Sequence, residues 1–218
     1  MSITVIIIAI TAIISIAGFR SQKVINDLIF YPPAVTGNKQ YYRFITCGFI
    51  HADIGHLFFN MYALYLFGKI TEQEFDAIFG NNGKLLYILM YLMALAVCLI
   101  PSYTRNRNNP NYRSLGASGA VSAVVFAYIL FNPLQGIGLV FIPVYMVGFL
   151  FGFIYLVVSY LLEKKGGTNI NHSAHIWGAL FGIAFLIVTA RLFSGYPVLE
   201  NFIDAVKNMD LKHIITVP

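Results

Sequence analysis

The sequence GASG places Ser118 between Gly116 and Gly119, at the point where a long run of apolar residues begins. A serine hydroxyl becomes a nucleophile when a base within hydrogen-bonding reach accepts its proton, and neutral histidine is the commonest such base. His175, in the sequence AHIWGALFG at 174–182, has the right side chain for this role. The two residues predict acyl transfer, in which the serine attacks a carbonyl carbon and the histidine accepts the hydroxyl proton.

Acyl transfer also requires hydrogen-bond donors for the oxygen that becomes negatively charged. His56 and Asn60 lie four residues apart in the sequence HLFFN, so they share one face of a helix. The backbone N–H of Ser118 is a third donor, because amides in the first turn of a helix have no intrahelical partner. We therefore predict an oxyanion hole formed by Asn60, His56 and the amide of Ser118. His51 lies roughly 140° around the helix from His56, so we expect it at the membrane interface.

Each of these three clusters also has a purely structural interpretation. Small residues around Ser118 are common where two membrane helices pack closely. His175 alone could be an interior histidine, a proton relay or a haem ligand, and His56 with Asn60 could be an interhelical hydrogen-bonded pair. A shared site is favoured because all three clusters lie in the first turns of the second, fourth and sixth apolar segments. These segments run in the same direction, so their first turns lie on one side of the membrane.

The remaining sequence narrows the type of chemistry. No aspartate or glutamate accompanies His175 in the polar part of the fourth or sixth segment, so a Ser-His dyad is predicted rather than a triad. A zinc metalloprotease would need His-Glu-x-x-His, which the sequence lacks. The Gly-x-Ser-x-Gly motif that forms the nucleophile turn of soluble hydrolases is absent, because position 120 is alanine. Neither a zinc metalloprotease nor a hydrolase of the soluble type is therefore predicted.

The elements that position these residues are predicted to be membrane helices. The chain has 218 residues, of which 58% are hydrophobic and 11% charged, and its mean hydropathy is +0.74. This composition predicts an integral, multi-pass, all-α membrane protein. Six apolar segments form one helical bundle over residues 1–193. They are about 3–19, 54–70, 84–101, 115–132, 139–162 and 174–193.

The two ends of the chain have separate interpretations. The first segment resembles a signal peptide in its apolarity, but no Lys or Arg precedes it and no clear cleavage site follows. We therefore interpret it as a membrane helix. The tail, 194–218, spaces its apolar residues as an amphipathic helix does. It is predicted to lie at the membrane interface.

Small residues suggest how two of the helices meet. Gly178 and Gly182 share a face with His175 in the sixth segment, and Gly119 and Ala123 lie on the fourth segment. Smooth helix faces let two backbones approach closely. This approach is expected to bring the serine within reach of the histidine.

Charge and cysteine usage exclude other classes of protein. The net charge of +5 and the isoelectric point near 9.2 fit basic loops that meet anionic lipid headgroups. The basic residues are not interleaved with aromatic residues as in a nucleic-acid groove, so nucleic acid is not an expected partner. Cys47 and Cys98 lie far apart in apolar surroundings and are predicted to be free thiols.

Taken together, the chain resembles the rhomboid intramembrane serine proteases of the bacterial six-helix type. The resemblance rests on GASG at 116–119, AHIWGALFG at 174–182 and HLFFN at 56–60, in the family's order. It implies cleavage of single-pass transmembrane substrates without metal or cofactor, and a bacterial inner-membrane location. By position, Ser118 is the nucleophile, His175 the general base, and His56, Asn60 and the Ser118 amide the oxyanion hole. The pair Tyr42-Arg43 matches a Trp-Arg pair of the family, and Glu72 matches a structural glutamate.

Two features depart from this resemblance. Some rhomboid proteases have an aromatic residue four positions after the nucleophile that stacks on the catalytic histidine, but this chain has Ser122. His175 must therefore be held by another contact. The family places both termini in the cytoplasm, whereas most of the 14 Lys and Arg residues fall in loops on the opposite side.

Non-proteolytic functions are the alternatives to a protease. One is a rhomboid-like binding or chaperone protein, which would be expected to lack Ser118 or His175. Another is a small multi-pass transporter, which would more naturally show internal repeats or acidic residues within its spans. The sequence has neither feature.

Overall fold

The computed structural model describes residues 1–138, 145–167, 170–210 and 215–216. Its first helices are α1 Ile3–Arg20, α2 Gln22–Leu28, α3 Pro32–Asn38, α4 Arg43–Thr46, α5 Ile54–Phe79, α6 Gly83–Val97 and α7 Ile100–Asn106. The later helices are α8 Ser118–Phe131, α9 Gly148–Lys165, α10 His172–Phe193 and α11 Val198–Lys207. Short 3₁₀ turns occur at Cys47–Phe49 and Gly80–Asn82. The strands are β1 Gly136–Gly138, β2 Tyr145–Val147 and β3 Ile215–Thr216.

The protein is a helical membrane bundle. Among the described residues, three helical stretches are long and apolar enough to cross a membrane, namely Ile3–Arg20, Ile54–Asn106 and His172–Phe193. The second stretch folds back on itself at Gly80, so that α5 and α6 pack against each other. Ser118–Phe131 is a shorter apolar helix. The expectation of six membrane crossings stays a prediction.

Helix α8 forms the centre of the bundle and contacts α5, α6, α9 and α10. It is apolar on every side, as expected of a helix that neighbours surround completely. Ala120, Ala123 and Ala127 are fully buried. Because α8 begins with Ser118, this central position fixes the depth and direction of the serine.

A second set of contacts ties α1 to α5 at the end of the bundle away from Ser118. The Glu72 carboxylate accepts hydrogen bonds from Ser2 Oγ at 2.6 Å and from the backbone N–H groups of Ile3 and Thr4 at 2.7 and 3.0 Å. A carboxylate in this position satisfies first-turn amides and complements the positive end of the helix dipole. Glu72 therefore holds the start of α1 against the middle of α5, which is a structural role.

The fifth apolar segment differs from its prediction. It was expected to be helical over 139–162, but residues Tyr145–Val147 form β2, and α9 begins at Gly148 and continues to Lys165. Residues 139–144 lie outside the described residues. β1 and β2 pair antiparallel, with Gly136 opposite Val147, and β3 lies on the other edge of β2. Hydropathy cannot separate a short apolar strand from the first turn of a helix, which explains the error.

The tail also packs on the bundle. Within the predicted 194–218 region, α11 has its first residue, Val198, buried in the main core. Phe202 contacts a cluster formed by Tyr128, Ile129 and Ile137. The tail helix is therefore anchored against α8 and the β1 strand rather than only against lipid. Residues 211–214 and 217–218 lie outside the described residues.

Candidate active site

The segment before α8 fixes the position of its first residue. Gly116 has φ of 110°, a conformation that L side chains rarely adopt. Its N–H donates to the Cys47 carbonyl at 2.9 Å, and a Cβ there would lie 2.9 Å from His56 Nε2. Two residues earlier, Ser114 and Phe30 exchange backbone hydrogen bonds of 3.0 and 3.1 Å. The connection between α1 and α5, which we call the first loop, thus anchors the chain that leads into Ser118. Glycine at position 116 leaves room for the His56 ring.

The two predicted catalytic side chains meet. Ser118 Oγ lies 2.7 Å from His175 Nε2, although 57 residues separate them in sequence. With Nε2 as acceptor, Oγ donates and the neutral imidazole carries its hydrogen on Nδ1. At the start of α10, the Asn171 side chain accepts the N–H of Ala174 at 3.0 Å. This N-cap fixes the first turn of the helix that carries His175.

Close packing of α8 on α10 produces this approach. A Cβ added at Gly178 would collide with the carbonyl of Gly119, and one at Gly182 would collide with the carbonyl of Ala123. The two backbones are therefore in direct contact along the helix faces that carry Ser118 and His175. The prediction that small residues permit this contact is confirmed. We call the contact between Gly119, Ala123, Gly178 and Gly182 the α8–α10 seam.

The neighbours of His175 are aromatic rather than acidic. The Tyr155 ring of α9 stacks on the imidazole with 6.3 Å between ring centroids and 24° between planes. His172 approaches edge-on, with 5.9 Å between centroids. Across the described ranges, Arg105–Glu163 is the ion pair found, so no carboxylate lies within ion-pair distance of His175. Sequence reasoning missed Tyr155, because α9 contains several aromatic residues and none is marked by spacing relative to Ser118.

The side chains of the predicted oxyanion donors, His56 and Asn60, each retain a hydrogen for a ligand. His56 Nδ1 is 3.5 Å from the backbone N–H of Ala52, which leaves Nε2 as the protonated nitrogen of a neutral ring. One Nδ2 hydrogen of Asn60 is donated to the His56 carbonyl at 2.8 Å, and the amide's second hydrogen remains for a ligand. Both residues line the same cavity as Ser118. The Ser118 N–H, in the first turn of α8, has no intrahelical acceptor.

His51, which was expected at the membrane interface, is enclosed by protein, with a side chain that is only 1% exposed. Its Nε2 accepts the N–H of Ala117 at 3.4 Å, and its Nδ1 lies 2.9 Å from Ser15 Oγ. Burial lowers the pKa of His51 from 6.5 to about 3, with a smaller contribution from the neighbouring His56. A helical wheel misplaced this residue because it precedes α5, which begins at Ile54.

The cavity above Ser118 has a volume of about 890 Å³. Ser118, His175 and Asn60 line it, together with Arg105 and Glu163, whose side chains are 61% and 30% exposed. The Glu163 carboxylate accepts from Arg105 Nη1 at 2.8 Å and from the N–H of Ser173 at 2.9 Å. Glu163 therefore links the end of α9 to the start of α10 at the rim of the cavity.

Arg43 organises the first loop. Its guanidinium donates to the carbonyls of Asn26 and Ile29 at 2.9 and 2.7 Å and to Gln40 Oε1 at 2.6 Å. The side chain is buried, whereas the ring of Tyr42 is about half exposed. Arg43 therefore links the end of α2 to Gln40 through three hydrogen bonds.

The two cysteines are free and buried, as predicted. Both line the cavity, and a Cβ at Gly119 would collide with Cys98 Sγ. Burial raises the pKa of the Cys47 thiol to about 12, so this thiol stays protonated. Among the described residues, no group of three His, Cys, Asp or Glu side chains is arranged to hold a metal ion.

Comparison with known proteins places these observations in a family. Residues 38–192 match the family model described as "Rhomboid domain". The chain is 26% identical over 202 residues to "Rhomboid protease GlpG" of Haemophilus influenzae, covering 87% of this chain and 92% of that protein. It is 31% identical over 147 residues to "RHOMBOID-like protein 12, mitochondrial" of Arabidopsis thaliana, covering 62% of this chain.

A third relative is mammalian. The chain is 29% identical over 146 residues to "Presenilin-associated rhomboid-like protein, mitochondrial" of Mus musculus, covering 63% of this chain. The matched region spans 42% of the length of the Arabidopsis relative and 35% of the mouse relative.

Proposed function

The chain belongs to the rhomboid family, and on that premise we propose that it is an intramembrane serine endopeptidase with Ser118 as nucleophile and His175 as general base. The observation that carries the proposal is the 2.7 Å contact between Ser118 Oγ and His175 Nε2, in a cavity that both residues line. Both side chains are partly exposed, so the pair is accessible from the cavity as well as hydrogen-bonded within the bundle. A substrate can reach the Ser118–His175 pair through this cavity.

Acylation uses the groups in the arrangement described above. Ser118 Oγ attacks the carbonyl carbon of the scissile peptide bond while His175 Nε2 accepts the hydroxyl proton. The carbonyl oxygen becomes negative and receives hydrogen bonds from the Ser118 amide, His56 Nε2 and Asn60 Nδ2. The C–N bond then breaks, and His175 returns the proton to the leaving amine.

Deacylation requires water in the same cavity. His175 accepts a proton from a water molecule, whose oxygen attacks the acyl ester of Ser118. The ester C–O bond breaks, the carboxylic acid leaves, and Ser118 Oγ recovers the proton from His175. Polar side chains on the cavity wall, including Ser102, Asn106 and Asn171, are suited to hold this water.

The position of the cavity within the helical bundle supports one class of substrate. Single-pass membrane proteins are the proposed substrates, because a membrane helix can enter a cavity opened within a helical membrane bundle. A regular helix engages its carbonyls in hydrogen bonds, so cleavage favours segments with small or helix-weakening residues. The bacterial inner membrane is the proposed location, supported by the match over nearly the full length of the Haemophilus protein. The mitochondrial names of other relatives make an organelle membrane the competing location.

The decisive experiment is cleavage of a co-reconstituted single-span protein by the wild type and by Ser118→Ala. We expect cleavage to fall by roughly a thousandfold or more in Ser118→Ala and in His175→Ala, as in other enzymes that lose one member of such a unit. Labelling by a fluorophosphonate should disappear in Ser118→Ala. Ser159→Ala, a buried serine of α9 away from the cavity, is the matched control and should cleave normally.

Equal cleavage by wild type and a folded Ser118→Ala variant would reject the serine protease assignment. Binding of the single-span protein without cleavage by the wild type would favour the non-proteolytic alternative.

A further inference from the structure

The side chain that lies against His175 comes from an unexpected helix. Position 122, one turn after Ser118 on α8, carries a serine, which has no ring to stack on the imidazole. The ring that stacks there belongs to Tyr155 of α9 and lies nearly parallel to that of His175, at 24°. An offset, nearly parallel arrangement is a favourable geometry for two π-systems. The contact therefore specifies the plane of the imidazole.

The Tyr155 ring is itself fixed from the opposite direction. Phe151 lies 6.3 Å away at 26°, and Phe126 lies 5.7 Å away at 57°. Phe151 and Tyr155 are one helical turn apart on α9, whereas Phe126 is on α8. The ring is thus held between α8 and α9, and it has little freedom to turn.

The tyrosine hydroxyl connects the ring to the residue that carries the nucleophile. Ser122 Oγ donates to the carbonyl of Ser118 at 2.9 Å. Since that bond uses the serine's only hydrogen, the 2.8 Å contact between Ser122 Oγ and the Tyr155 hydroxyl has tyrosine as the donor. The Tyr155 hydroxyl therefore donates to Ser122 Oγ, which in turn donates to the Ser118 carbonyl. These two hydrogen bonds connect the ring that stacks on His175 to the backbone of Ser118.

We propose that Tyr155 is a positioning residue that holds the His175 imidazole in the orientation in which Nε2 faces Ser118. The χ2 torsion of histidine is broad and roughly two-fold, so an unsupported ring can turn and present carbon or Nδ1 instead. In a Ser-His-Asp triad the carboxylate prevents this turn. No described carboxylate is within ion-pair distance of His175, and the stacked Tyr155 ring takes over that orienting role.

The inference rests on the proposed function. It assigns different roles to the ring and to the hydroxyl of Tyr155. The ring orients His175, and the hydroxyl only anchors the ring through Ser122. Replacing Tyr155 by phenylalanine therefore preserves the stack and removes the anchor. Replacing it by leucine removes both while retaining an apolar side chain.

The test is a comparison of kcat and KM for cleavage of a reconstituted single-span substrate. Tyr155→Leu should lower kcat by roughly tenfold to a hundredfold, the loss expected when a catalytic group is slightly misplaced, and leave KM nearly unchanged. Tyr155→Phe should retain at least about a fifth of kcat, because a neutral hydrogen bond contributes only about 1 kcal/mol, which is a roughly fivefold effect. Tyr160→Leu, on the exposed side of the same helix, is the matched control and should behave as wild type.

The hydroxyl anchor is tested by a double-mutant cycle. Both Tyr155→Phe and Ser122→Ala remove the hydrogen bond between the two side chains, and Ser122→Ala also removes the bond to the Ser118 carbonyl. The double variant should therefore lose no more kcat than Ser122→Ala alone. Losses that multiply would show that the hydroxyl does not act through Ser122 and would reject the anchor.

The orienting role itself is rejected if a folded Tyr155→Leu variant retains the wild-type kcat. It is also rejected if Tyr155→Phe and Tyr155→Leu lose activity equally and in proportion to their melting temperatures, since simple packing would do this. If Tyr155→Leu does not fold, Tyr155→Met is measured under the same criteria. Ser118→Ala is run in parallel: full activity in that variant rejects the proposed function, whereas its inactivity with a fully active Tyr155→Leu rejects only the positioning role.

Discussion

Helices α9 and α10 both pack on α8, but they do so in different ways. Along the α8–α10 seam, glycines allow backbone to meet backbone, and added Cβ atoms at Gly178 and Gly182 would collide with carbonyl oxygens. Between α8 and α9, side chains make the contact: Tyr155 packs on Phe126, and the side chains of Phe126 and Ile129 lie next to Gly152. Much of α9 is exposed, including Phe153 at 66% and Tyr160 at 59%. The seam is rigid by geometry, whereas the α9 contact depends on adaptable side-chain ends.

Because of this difference, the two helix contacts have separate roles at the site. The distance between Ser118 and His175 is set by the seam, because both residues lie at its upper end on backbones in direct contact. The orientation of the His175 ring is set by Tyr155, which belongs to the less tightly packed helix. Changes in the seam should therefore remove structure and activity together, whereas changes on α9 should affect activity with less loss of stability.

The strongest test of the seam is Gly178→Val. A branched side chain at 178 would meet the backbone of Gly119, which cannot move without displacing Ser118. We expect a loss of more than about 3 kcal/mol in stability, at the upper end for overpacked sites, and no fluorophosphonate labelling. Thermal unfolding in detergent and labelling of the same sample measure both effects.

Gly37→Ala is the matched control for that variant, because a Cβ at Gly37 meets no atom within 4 Å. It should unfold and label as the wild type does. A stable, labelled Gly178→Val protein would contradict the rigid seam.

An intermediate effect is expected at His51, which holds Ala117 immediately before α8. Its pKa of about 3 in the folded protein is below the ordinary 6.5, so its contribution to stability is complete above pH 6.5 and is lost as pH falls toward 3. His51→Leu should cost about 1–3 kcal/mol at pH 7.5, because the Ala117 N–H loses its acceptor. The melting temperature of the variant should also fall less steeply than that of the wild type between pH 6.5 and 4.

Ser15→Ala provides the control for this pH dependence. It removes the hydroxyl beside Nδ1 but keeps the titrating imidazole, so the slope with pH should persist. The same steep slope in His51→Leu would show that another group is responsible.

The smallest effect is expected on the α9 side, at Gly152→Ala. The added methyl would lie 3.2 Å from Ile129 Cδ1 and from Phe126 Cε1, which are ends of side chains that can shift. We expect a change of less than about 1 kcal/mol in stability and a modest decrease in cleavage, since Phe126 also contacts Tyr155. Unfolding and cleavage assays as for Gly178→Val give the comparison directly. A loss as large as that of Gly178→Val would mean that the two helix contacts are equally rigid.

Some parts of the site could be predicted because they depend on spacing within one helix. The pairing of His56 with Asn60 follows from four-residue separation, and the smooth face at Gly178 and Gly182 follows from the same periodicity. The buried state of His51 could not be predicted this way. It depends on the loop before α5, whose path is fixed by contacts with Ser15 and Ala117 from distant parts of the chain.

The sequence by itself determined which helices carry the reactive groups and which of their faces are smooth enough to meet. Those properties are local, because they follow from residue type and helical period. Only the tertiary structure decided that Tyr155 of α9, rather than a residue on α8, lies against His175, and that Tyr145–Val147 pair as a strand. These features depend on how separate helices and strands pack together. The hydrophobic periodicity of a single segment does not predict that packing.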